Sequence, residues 1–98
     1  MSRKIPAWHV YLLRCSDGSL YCGITNKLKL RIAAHNCGKG AKYTRSRWPV
    51  TLAWSRRCKS KSDALKLEYR IKQMAKTEKE QLAARIASRR KLRHALHS

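Results

Sequence analysis

Acidic residues are scarce in this sequence: five Asp and Glu stand against 24 Lys and Arg, which gives a net charge of +19 at pH 7. Solubility does not require so large an excess of one sign. Each phosphate that basic side chains neutralise releases condensed counterions, so polyphosphates are the partners that such a surface favours. The composition therefore predicts binding to nucleic acid.

Long apolar runs are also absent, since every apolar run in the sequence is far too short to span a bilayer. No amphipathic helix with a wide apolar face and large aromatic residues is evident, so an anionic membrane surface is a weaker expectation than nucleic acid. Pro6 and His9 interrupt the apolar segment that follows Arg3 and Lys4, which is not typical of a secretory signal. We expect a cytoplasmic protein that does not bind membranes.

Closely spaced cysteine pairs, the usual ligands of structural zinc, are missing as well. The four cysteines are Cys15, Cys22, Cys37 and Cys58. Because nothing points to secretion, we expect reduced thiols rather than disulfides. The 98 residues suffice for one hydrophobic core, so we expect a single domain over residues 1–98, with a basic tail from about residue 88.

Two apolar runs that each carry a tyrosine, residues 10–15 and 19–24, flank the triplet Ser16-Asp17-Gly18. β-Branched, aromatic and aliphatic residues fit a half-buried strand, and the triplet suits a three-residue loop whose glycine is left-handed. The sequence therefore predicts a β-hairpin.

The turn type decides which side chains share a face of that hairpin. A three-residue loop pairs Leu13 with Tyr21 and Tyr11 with Gly23, so both tyrosines lie on one face. A two-residue Asp17-Gly18 loop would put them on opposite faces. We favour the three-residue loop, which leaves an open spot at Gly23 for a ligand or another backbone.

Asn26 is the expected cap of a helix from about Lys27 to Asn36, and Gly38 is expected to end it. Arg31 and His35 stand four residues apart in this helix and therefore project from one face. From spacing alone, a solvated basic face is the simpler interpretation of the pair.

Residues 37–48 form a glycine-rich, basic connection that is too polar to lie in a core. Backbone amides freed at Gly38 and Gly40, together with basic side chains, predict a loop that follows phosphates. Those basic residues are Lys39, Lys42, Arg45 and Arg47. Tyr43 or Trp48 is suited to stacking on a base. The Walker spacing is absent, so nucleoside triphosphate binding is not expected.

Three further elements are predicted after this loop. Residues 50–56 alternate between apolar and polar, which predicts a third strand with one packed face. That face comprises Val50, Leu52 and Trp54. Ser60 and Asp63 form a variant capping box that opens a second helix. Its expected buried stripe comprises Ala64, Leu65, Leu67, Ile71 and Met74. Thr77, with Glu80 at the capping-box spacing, opens a third helix, whose inner face includes Leu82 and Ile86.

Glu68 is the one acid without an evident local role. The other four lie in the hairpin turn or in first helical turns, where carboxylates complement the helix dipole. One interpretation of Glu68 is an ion pair with Lys72 at i, i+4, worth about 0.2 to 0.5 kcal/mol in an isolated helix. The other is a metal ligand, since a hard cation such as Mg²⁺ is commonly held by one carboxylate with waters and a substrate phosphate. The residues alone leave the two equally open.

Five motifs follow one another in a characteristic order: Tyr11, Tyr21-Cys22-Gly23, Arg31, His35 and Glu68. Each is weak by itself, but their order and spacing together resemble the GIY-YIG nuclease superfamily. The resemblance covers roughly Trp8 to Glu80 and is closest to the small, single-domain bacterial branch.

The resemblance implies an α+β fold in which helices flank a three-stranded antiparallel sheet, and an endonuclease that depends on Mg²⁺ or Mn²⁺ bound at Glu68. Tyr11 and Tyr21 would position or deprotonate the attacking water. Arg31 would stabilise charge on the scissile phosphate, and His35 would assist by hydrogen bonding or proton transfer. Because a phenol has a pKa of about 10, the base needs a nearby cation. Which tyrosine is the base stays open.

The sequence also departs from the family pattern. His9-Val10 stands where the name motif has Gly-Ile, and Cys22 replaces its second Ile. Some relatives use an Asn after the metal-binding Glu, but the asparagines here, Asn26 and Asn36, precede Glu68. We expect no added DNA-reading domain and therefore weak sequence preference.

The expected function is hydrolysis of phosphodiester bonds in DNA, with DNA repair as one setting. The alternative is a nucleic-acid-binding accessory protein, acting on DNA or RNA, that turns over little. Binding does not separate the two, because a charge of +19 attracts nucleic acid in either case. The two functions would be separated by testing whether product formation depends on Glu68, Arg31 and the tyrosines. The sequence leaves the oligomeric state open.

Overall fold

The computed structural model describes residues 7–85. Six elements follow one another: β1 (Trp8–Arg14), β2 (Leu20–Thr25), α1 (Leu28–Asn36), β3 (Thr51–Cys58), α2 (Lys61–Lys72) and α3 (76–85). The strands form one antiparallel sheet in the order β2-β1-β3. The α+β class with a three-stranded antiparallel sheet flanked by helices is confirmed. Ile86 and the basic tail expected from about residue 88 lie outside the described residues.

The hairpin between β1 and β2 has the predicted three-residue loop, which Gly18 closes with a φ of 84°. In the resulting register Leu13 lies opposite Tyr21, and Tyr11 lies opposite Gly23. Since residues two apart on a strand share a face, both tyrosines lie on one face of the sheet, as predicted.

The sheet buries both of its faces, each against different helices. One face packs against α2 and, through Leu82, against α3. Its buried cluster comprises Val10, Leu12, Cys22, Trp54, Ala64 and Ile71. The other face carries the tyrosines and packs against Leu28 and Ile32 of α1. Its buried cluster comprises Tyr11, Leu13, Cys15 and Val50. The site described below lies on this second face.

A β-bulge makes β3 depart from the predicted alternation. Leu12 of β1 lies opposite Trp54, whereas the next residue, Leu13, lies opposite Leu52. The extra residue on β3 reverses the faces on either side of it, so Leu52 packs on the tyrosine face and Trp54 on the opposite one. The predicted single packed face of Val50, Leu52 and Trp54 is therefore wrong.

Helix α1 ends as predicted but begins differently. Its N-cap is Lys27, which makes no side-chain capping bond, so the predicted cap at Asn26 is wrong. Thr25 Oγ1 instead accepts a hydrogen bond from Lys27 N at 3.0 Å. At the other end Gly38 has a φ of 73°, and the backbone folds back so that the Lys39 amide bonds a helical carbonyl. This is the Schellman pattern expected of a C-terminal glycine.

Helix α2 begins at its predicted cap, where Ser60 Oγ accepts from Asp63 N at 3.1 Å. Ala64 and Ile71 are buried, as expected. Leu65, in contrast, is 45% exposed and does not belong to the predicted buried stripe.

Helix α3 begins at residue 76, so Thr77 lies in its first turn and does not cap it. Glu78 Oε1 accepts from Ala75 N at 3.3 Å, which forms one half of a capping box around Ala75. Glu80 lies beyond the first turn and binds Arg14 through two hydrogen bonds of 2.7 and 2.5 Å. Its role is therefore to fasten α3 to the end of β1, not to complement the helix dipole.

The four cysteines carry free thiols, of which Cys15 and Cys22 are buried. Burial raises the pKa of the Cys22 thiol to about 12, so it stays protonated in the core. Among the described residues, no helix combines the length and the apolar character needed to cross a membrane.

Candidate active site

Four aromatic rings converge on the tyrosine-bearing face of the sheet. The ring centroids of Tyr11 and Tyr21 are 6.4 Å apart, and that of His35 lies 6.0 Å from the first and 5.4 Å from the second. Tyr43, from the loop between α1 and β3, stacks on Tyr21 at 5.9 Å. Tyr11, Tyr21 and His35, which the sequence singled out together, are thus neighbours in space.

Gly23 makes room for the Tyr11 side chain, which lies directly over it. A Cβ at this position would stand 2.5 Å from the Tyr11 hydroxyl and 2.7 Å from Cζ. Such distances are far inside van der Waals contact, which begins near ~3.5 Å. The predicted open spot for a ligand or a second backbone at Gly23 is therefore wrong, because Tyr11 itself fills it.

His35 is fully buried, so the interpretation of Arg31 and His35 as a solvated basic face is wrong for the histidine. Its Nε2 lies 3.2 Å from the Tyr11 hydroxyl, and its Nδ1 lies 2.6 Å from Thr44 Oγ1. The Thr44 hydroxyl is in turn 3.0 Å from the Ala41 carbonyl oxygen. Tyr11, His35 and Thr44 are each at most 1% exposed, so protein surrounds this series of contacts.

Two loop residues that support His35 were not predicted in that role. Thr44 lies in a polar, basic segment, where a threonine gives no sign of burial. Gly40 was interpreted as a source of free backbone amides, but a Cβ there would collide with His35 Nδ1. The glycine admits the imidazole, and its missing side chain is the one sequence signal that a close approach occurs here.

Arg31 lies one helical turn before His35, and its charge acts on the groups around it. Burial raises the pKa of Tyr11, and the Arg31 side chain opposes this shift. Burial lowers the pKa of His35, and repulsion by Arg31 lowers it further. Near pH 7 the free protein therefore holds a neutral imidazole against a protonated phenol.

Glu68 lies on α2, away from the helix that carries Arg31 and His35. Burial raises the pKa of Tyr21, which Lys72 and Arg31 lower and Glu68 raises. Burial raises the pKa of Cys22, which lies on the opposite face of β2, and Glu68 raises that pKa further. Its carboxylate therefore lies beside this edge strand. The side chain is 17% exposed, and Lys72 Nζ is 3.5 Å from Oε2, so the i, i+4 ion pair is formed.

The surroundings of Glu68 fit a divalent cation that also binds substrate. Within residues 7–85, no group of three or more His, Cys, Asp or Glu side chains is placed to hold a metal ion. Mg²⁺ keeps several waters and is commonly bound by one or two carboxylates plus substrate phosphates, and a lone carboxylate at a sheet edge satisfies that requirement. Lys72, whose Nζ is 3.5 Å from Glu68 Oε2, competes with a cation for this carboxylate, so waters and substrate phosphate oxygens would have to supply the remaining ligands.

The predicted nucleic-acid-binding residues divide into two groups. Three cations of the loop are exposed: Lys39, Lys42 and Arg45. Arg47 instead donates to Asp17 Oδ2 at 2.9 Å and to the Tyr43 carbonyl at 2.8 Å, and its guanidinium lies 4.1 Å from the Tyr43 ring centroid. Arg47 thus holds the loop against the hairpin turn. Trp48 is 52% exposed, which leaves its ring free to contact a base.

Asn36 holds the other end of the same loop. Its Nδ2 donates to Val50 O at 3.1 Å, and Val50 N donates to its Oδ1 at 2.6 Å. These two bonds join the end of α1 to the start of β3. Nothing in the local sequence distinguishes this asparagine, because its partner lies 14 residues away.

Residues 7–81 match the family model of the GIY-YIG catalytic domain. A UPF0213 protein of Halobacterium salinarum is 53% identical over 74 residues, which cover 76% of this chain and 96% of that relative. A UPF0213 protein of Vibrio cholerae is 51% identical over 86 residues, which cover 86% of this chain and 85% of that relative.

Two solution NMR structures share the fold. The UPF0213 protein of Bacillus halodurans superimposes with a TM-score of 0.53 at 44% identity, covering 80% of this chain and 83% of that one. A protein of E. faecalis superimposes with a TM-score of 0.57 at 35% identity, covering 89% and 92%. A catalytic-domain match over most of the chain implies nuclease-like activity on nucleic acid. The chain belongs to the GIY-YIG family, within its UPF0213 group of small bacterial and archaeal proteins.

Proposed function

We propose that this protein is a divalent-metal-dependent endonuclease that hydrolyses phosphodiester bonds in DNA with weak sequence preference. The observation that carries the proposal is the buried contact of 3.2 Å between the Tyr11 hydroxyl and His35 Nε2, beside the charge of Arg31. A phenol that is hydrogen-bonded to a neutral imidazole is able to take a proton from water as it passes its own proton to the imidazole. The guanidinium of Arg31 compensates the charge of the phosphate.

Tyr11 is the general base in this mechanism. Its pKa is raised by burial, so the free protein holds the phenol protonated. As water attacks phosphorus, a water proton passes to the Tyr11 oxygen while the Tyr11 proton passes to His35 Nε2. Because Tyr11 is 1% exposed in the free protein, this step requires that substrate binding makes the hydroxyl accessible to the water. The imidazole is available for this proton because burial and Arg31 keep it unprotonated near pH 7.

The remaining residues complete the substitution at phosphorus. The new bond between phosphorus and water oxygen forms as the bond to the leaving oxygen breaks, and that oxygen takes a proton from solvent. Arg31 compensates the charge that develops on the phosphate. Tyr21, whose pKa is affected by the charges of both Arg31 and Glu68, positions the water. Mg²⁺ or Mn²⁺, when held by Glu68, would supply further stabilisation of charge on the phosphate and the leaving oxygen.

The charge distribution supports a nucleic-acid substrate read through its backbone. Lys39, Lys42 and Arg45 reach solvent on the loop that covers His35, and phosphate contacts carry no sequence information. The exposed ring of Trp48 suits stacking on unpaired bases. We therefore favour irregular or single-stranded DNA, of the kind that DNA repair processes.

Cleavage of duplex, single-stranded, flapped and branched DNA with Mg²⁺, Mn²⁺ or EDTA tests the proposal. Glu68→Gln is expected to lower the rate by at least about 100-fold, because removal of a partner that only orients a metal ligand already costs about ten- to 100-fold. Glu78→Gln makes the same change in an exposed capping residue and is expected to retain wild-type activity. Equal activity of wild type and Glu68→Gln, with both folded, would contradict the metal assignment.

A second candidate function is supported by the ion pair between Glu68 and Lys72. A carboxylate held 3.5 Å from an ammonium group has the geometry of a structural pair, which is consistent with a nucleic-acid-binding accessory protein that turns over little. Tight binding by the wild type with no cleavage of any DNA or RNA substrate would favour this function over the nuclease.

A further inference from the structure

The contacts around His35 form a continuous series from Tyr11 to the backbone of the loop. Three contacts link four groups: Tyr11 hydroxyl to His35 Nε2 at 3.2 Å, His35 Nδ1 to Thr44 Oγ1 at 2.6 Å, and Thr44 Oγ1 to Ala41 O at 3.0 Å. Each of these distances requires one hydrogen between the two heavy atoms. The three hydrogens available are those of the phenol, the neutral imidazole and the threonine hydroxyl.

Only one assignment puts a hydrogen in every contact. The Ala41 carbonyl accepts and never donates, so the Thr44 hydroxyl must donate to it. Thr44 Oγ1 is then left to accept, and His35 Nδ1 must carry the imidazole hydrogen. Nε2 is left with a lone pair, which accepts from Tyr11. The opposite tautomer would leave Thr44 Oγ1 and the Ala41 carbonyl oxygen 3.0 Å apart with no hydrogen between them in a part-buried contact. The two oxygens would then repel each other, although the carbonyl also accepts from the backbone amides of Thr44 and Arg45.

We infer that Thr44 is a positioning residue, which holds His35 in the Nδ1–H tautomer and so leaves Nε2 to accept the proton of Tyr11. The catalytic consequence rests on the proposed function, whereas the tautomer itself can be measured without substrate. Thr44 touches neither water nor phosphate in this scheme and acts only through His35. Gly40 contributes by letting the imidazole lie close enough to the loop.

The tautomer is measured by ¹⁵N–¹H long-range correlation NMR of the imidazole side chains in the metal-free, DNA-free full chain at about pH 7.5. Each nitrogen shift shows whether it carries hydrogen, and the coupling pattern identifies Nδ1 and Nε2. The wild type is expected to show a protonated Nδ1 and a bare Nε2 at His35. A protonated Nε2 in the wild type, or a doubly protonated ring, would overturn the inference.

Three variants separate the role of Thr44 from a general loss of structure. Thr44→Ser keeps the hydroxyl and is expected to keep the Nδ1–H tautomer. Thr44→Val has nearly the same shape without the hydroxyl and is expected to shift His35 toward Nε2–H. Tyr11→Phe removes the other partner and is expected to leave the tautomer unchanged. A tautomer that changes in Tyr11→Phe but persists in Thr44→Val would assign its control to Tyr11 and overturn the inference.

The cleavage rate gives a second readout on the same proteins. Thr44→Val is expected to lower it by about tenfold to 100-fold, less than the roughly 100- to 10,000-fold that complete loss of acid–base assistance typically costs, because Tyr11 and His35 are still present. Thr44→Ser is expected to keep the wild-type rate. A folded Thr44→Val with the shifted tautomer and full activity would show that the tautomer has no part in catalysis. Absence of cleavage by the wild type would contradict the proposed function and leave the NMR result on Thr44 standing.

Discussion

Two glycines determine where the proposed base and its proton acceptor lie. Gly23 accommodates the Tyr11 ring, and Gly40 accommodates His35. At both positions a single methyl group would occupy space that a site side chain fills. These glycines therefore act through steric fit rather than through backbone conformation, and their effect is felt at the hydroxyl and the imidazole.

Gly23→Ala is expected to displace Tyr11, because its Cβ would stand 2.5 Å from the hydroxyl. Overpacking of this kind typically costs about 1 to 3 kcal/mol of unfolding free energy, and a shift of about 1 Å in a catalytic group lowers rates about 100-fold. Urea denaturation and the cleavage assay measure the two effects. In a Tyr11→Ala background, Gly23→Ala is expected to cost little further stability; an undiminished cost would place the clash elsewhere.

His35 makes stability depend on pH in a defined direction. Burial, and to a smaller extent repulsion by Arg31, holds the pKa of His35 in the folded protein below the ordinary value of 6.5. As the pH falls below 6.5, the unfolded chain therefore binds a proton at His35 more readily than the folded protein does. Its contribution to stability is complete above about pH 6.5 and declines as the pH falls toward the folded pKa. Hydrogen bonds from Ser19 lower the pKa of Asp17, and those from Arg14 lower the pKa of Glu80. These two carboxylates change the stability only as the pH falls below their ordinary pKa values of 3.8 and 4.5.

Urea denaturation between about pH 5 and pH 7 measures this decline. Titration of the His35 ring protons by NMR identifies the group. A His35 pKa at or above the ordinary value of 6.5 would contradict the assignment of a buried neutral imidazole.

The loop between α1 and β3 is held in place by tertiary contacts near both of its ends. Asn36 fastens its ends to each other through Val50, and Arg47 fastens it to Asp17 in the hairpin turn. The loop carries Thr44, which contacts Nδ1 of His35, whereas Tyr11 contacts Nε2 of the same ring. The element that the sequence predicted as a phosphate-binding loop is therefore also part of the support for the site.

Asn36→Ala is expected to lower the unfolding free energy by about 1 to 3 kcal/mol, because it leaves the amide and carbonyl of Val50 without their partners. Asn26→Ala makes the same change at an exposed residue that caps nothing, and it is expected to change stability by less than about 0.5 kcal/mol. Urea denaturation of both variants checks this. A larger loss for Asn26→Ala would restore Asn26 as a helix cap.

For the whole molecule, the dominant property is the charge of +19. Only a few cations are neutralised within the described residues: Arg14 by Glu80, Arg47 by Asp17 and Lys72 by Glu68. The first of these ties α3 to the sheet, and the second ties the site loop to the hairpin. The exposed remainder attracts phosphate, and binding is expected to weaken steeply with salt.

Binding of a short duplex at several salt concentrations separates the two groups of loop cations. Lys42→Gln or Arg45→Gln is expected to reduce the slope of log K against log salt by about one unit for each phosphate that the variant no longer neutralises. Arg47→Gln is expected to leave the slope nearly unchanged and to lower stability by up to about 1 kcal/mol, as for an exposed ion pair. A slope reduced equally by Arg47→Gln would show that Arg47 leaves Asp17 to bind phosphate.

The sequence by itself determined several features that depend on neighbours along the chain, although the local caps predicted at Asn26 and Thr77 did not form. The Ser16-Asp17-Gly18 loop, the cap at Ser60 and the stop at Gly38 follow from local backbone chemistry, and the hairpin loop sets the register that brings Tyr11 and Tyr21 to one face. The excess of basic residues predicts a polyanionic partner without reference to any fold.

Only the tertiary structure decided the contacts between distant positions. The bulge in β3 arises from how that strand meets β1, so alternation along β3 could not reveal it. Thr44 and Asn36 acquire their roles from His35 and Val50 across the folded loop, and Glu80 acquires its role from Arg14, 66 residues away. Composition and periodicity describe which residues tend to be buried or exposed, but a hydrogen bond depends on where two chain segments meet in space.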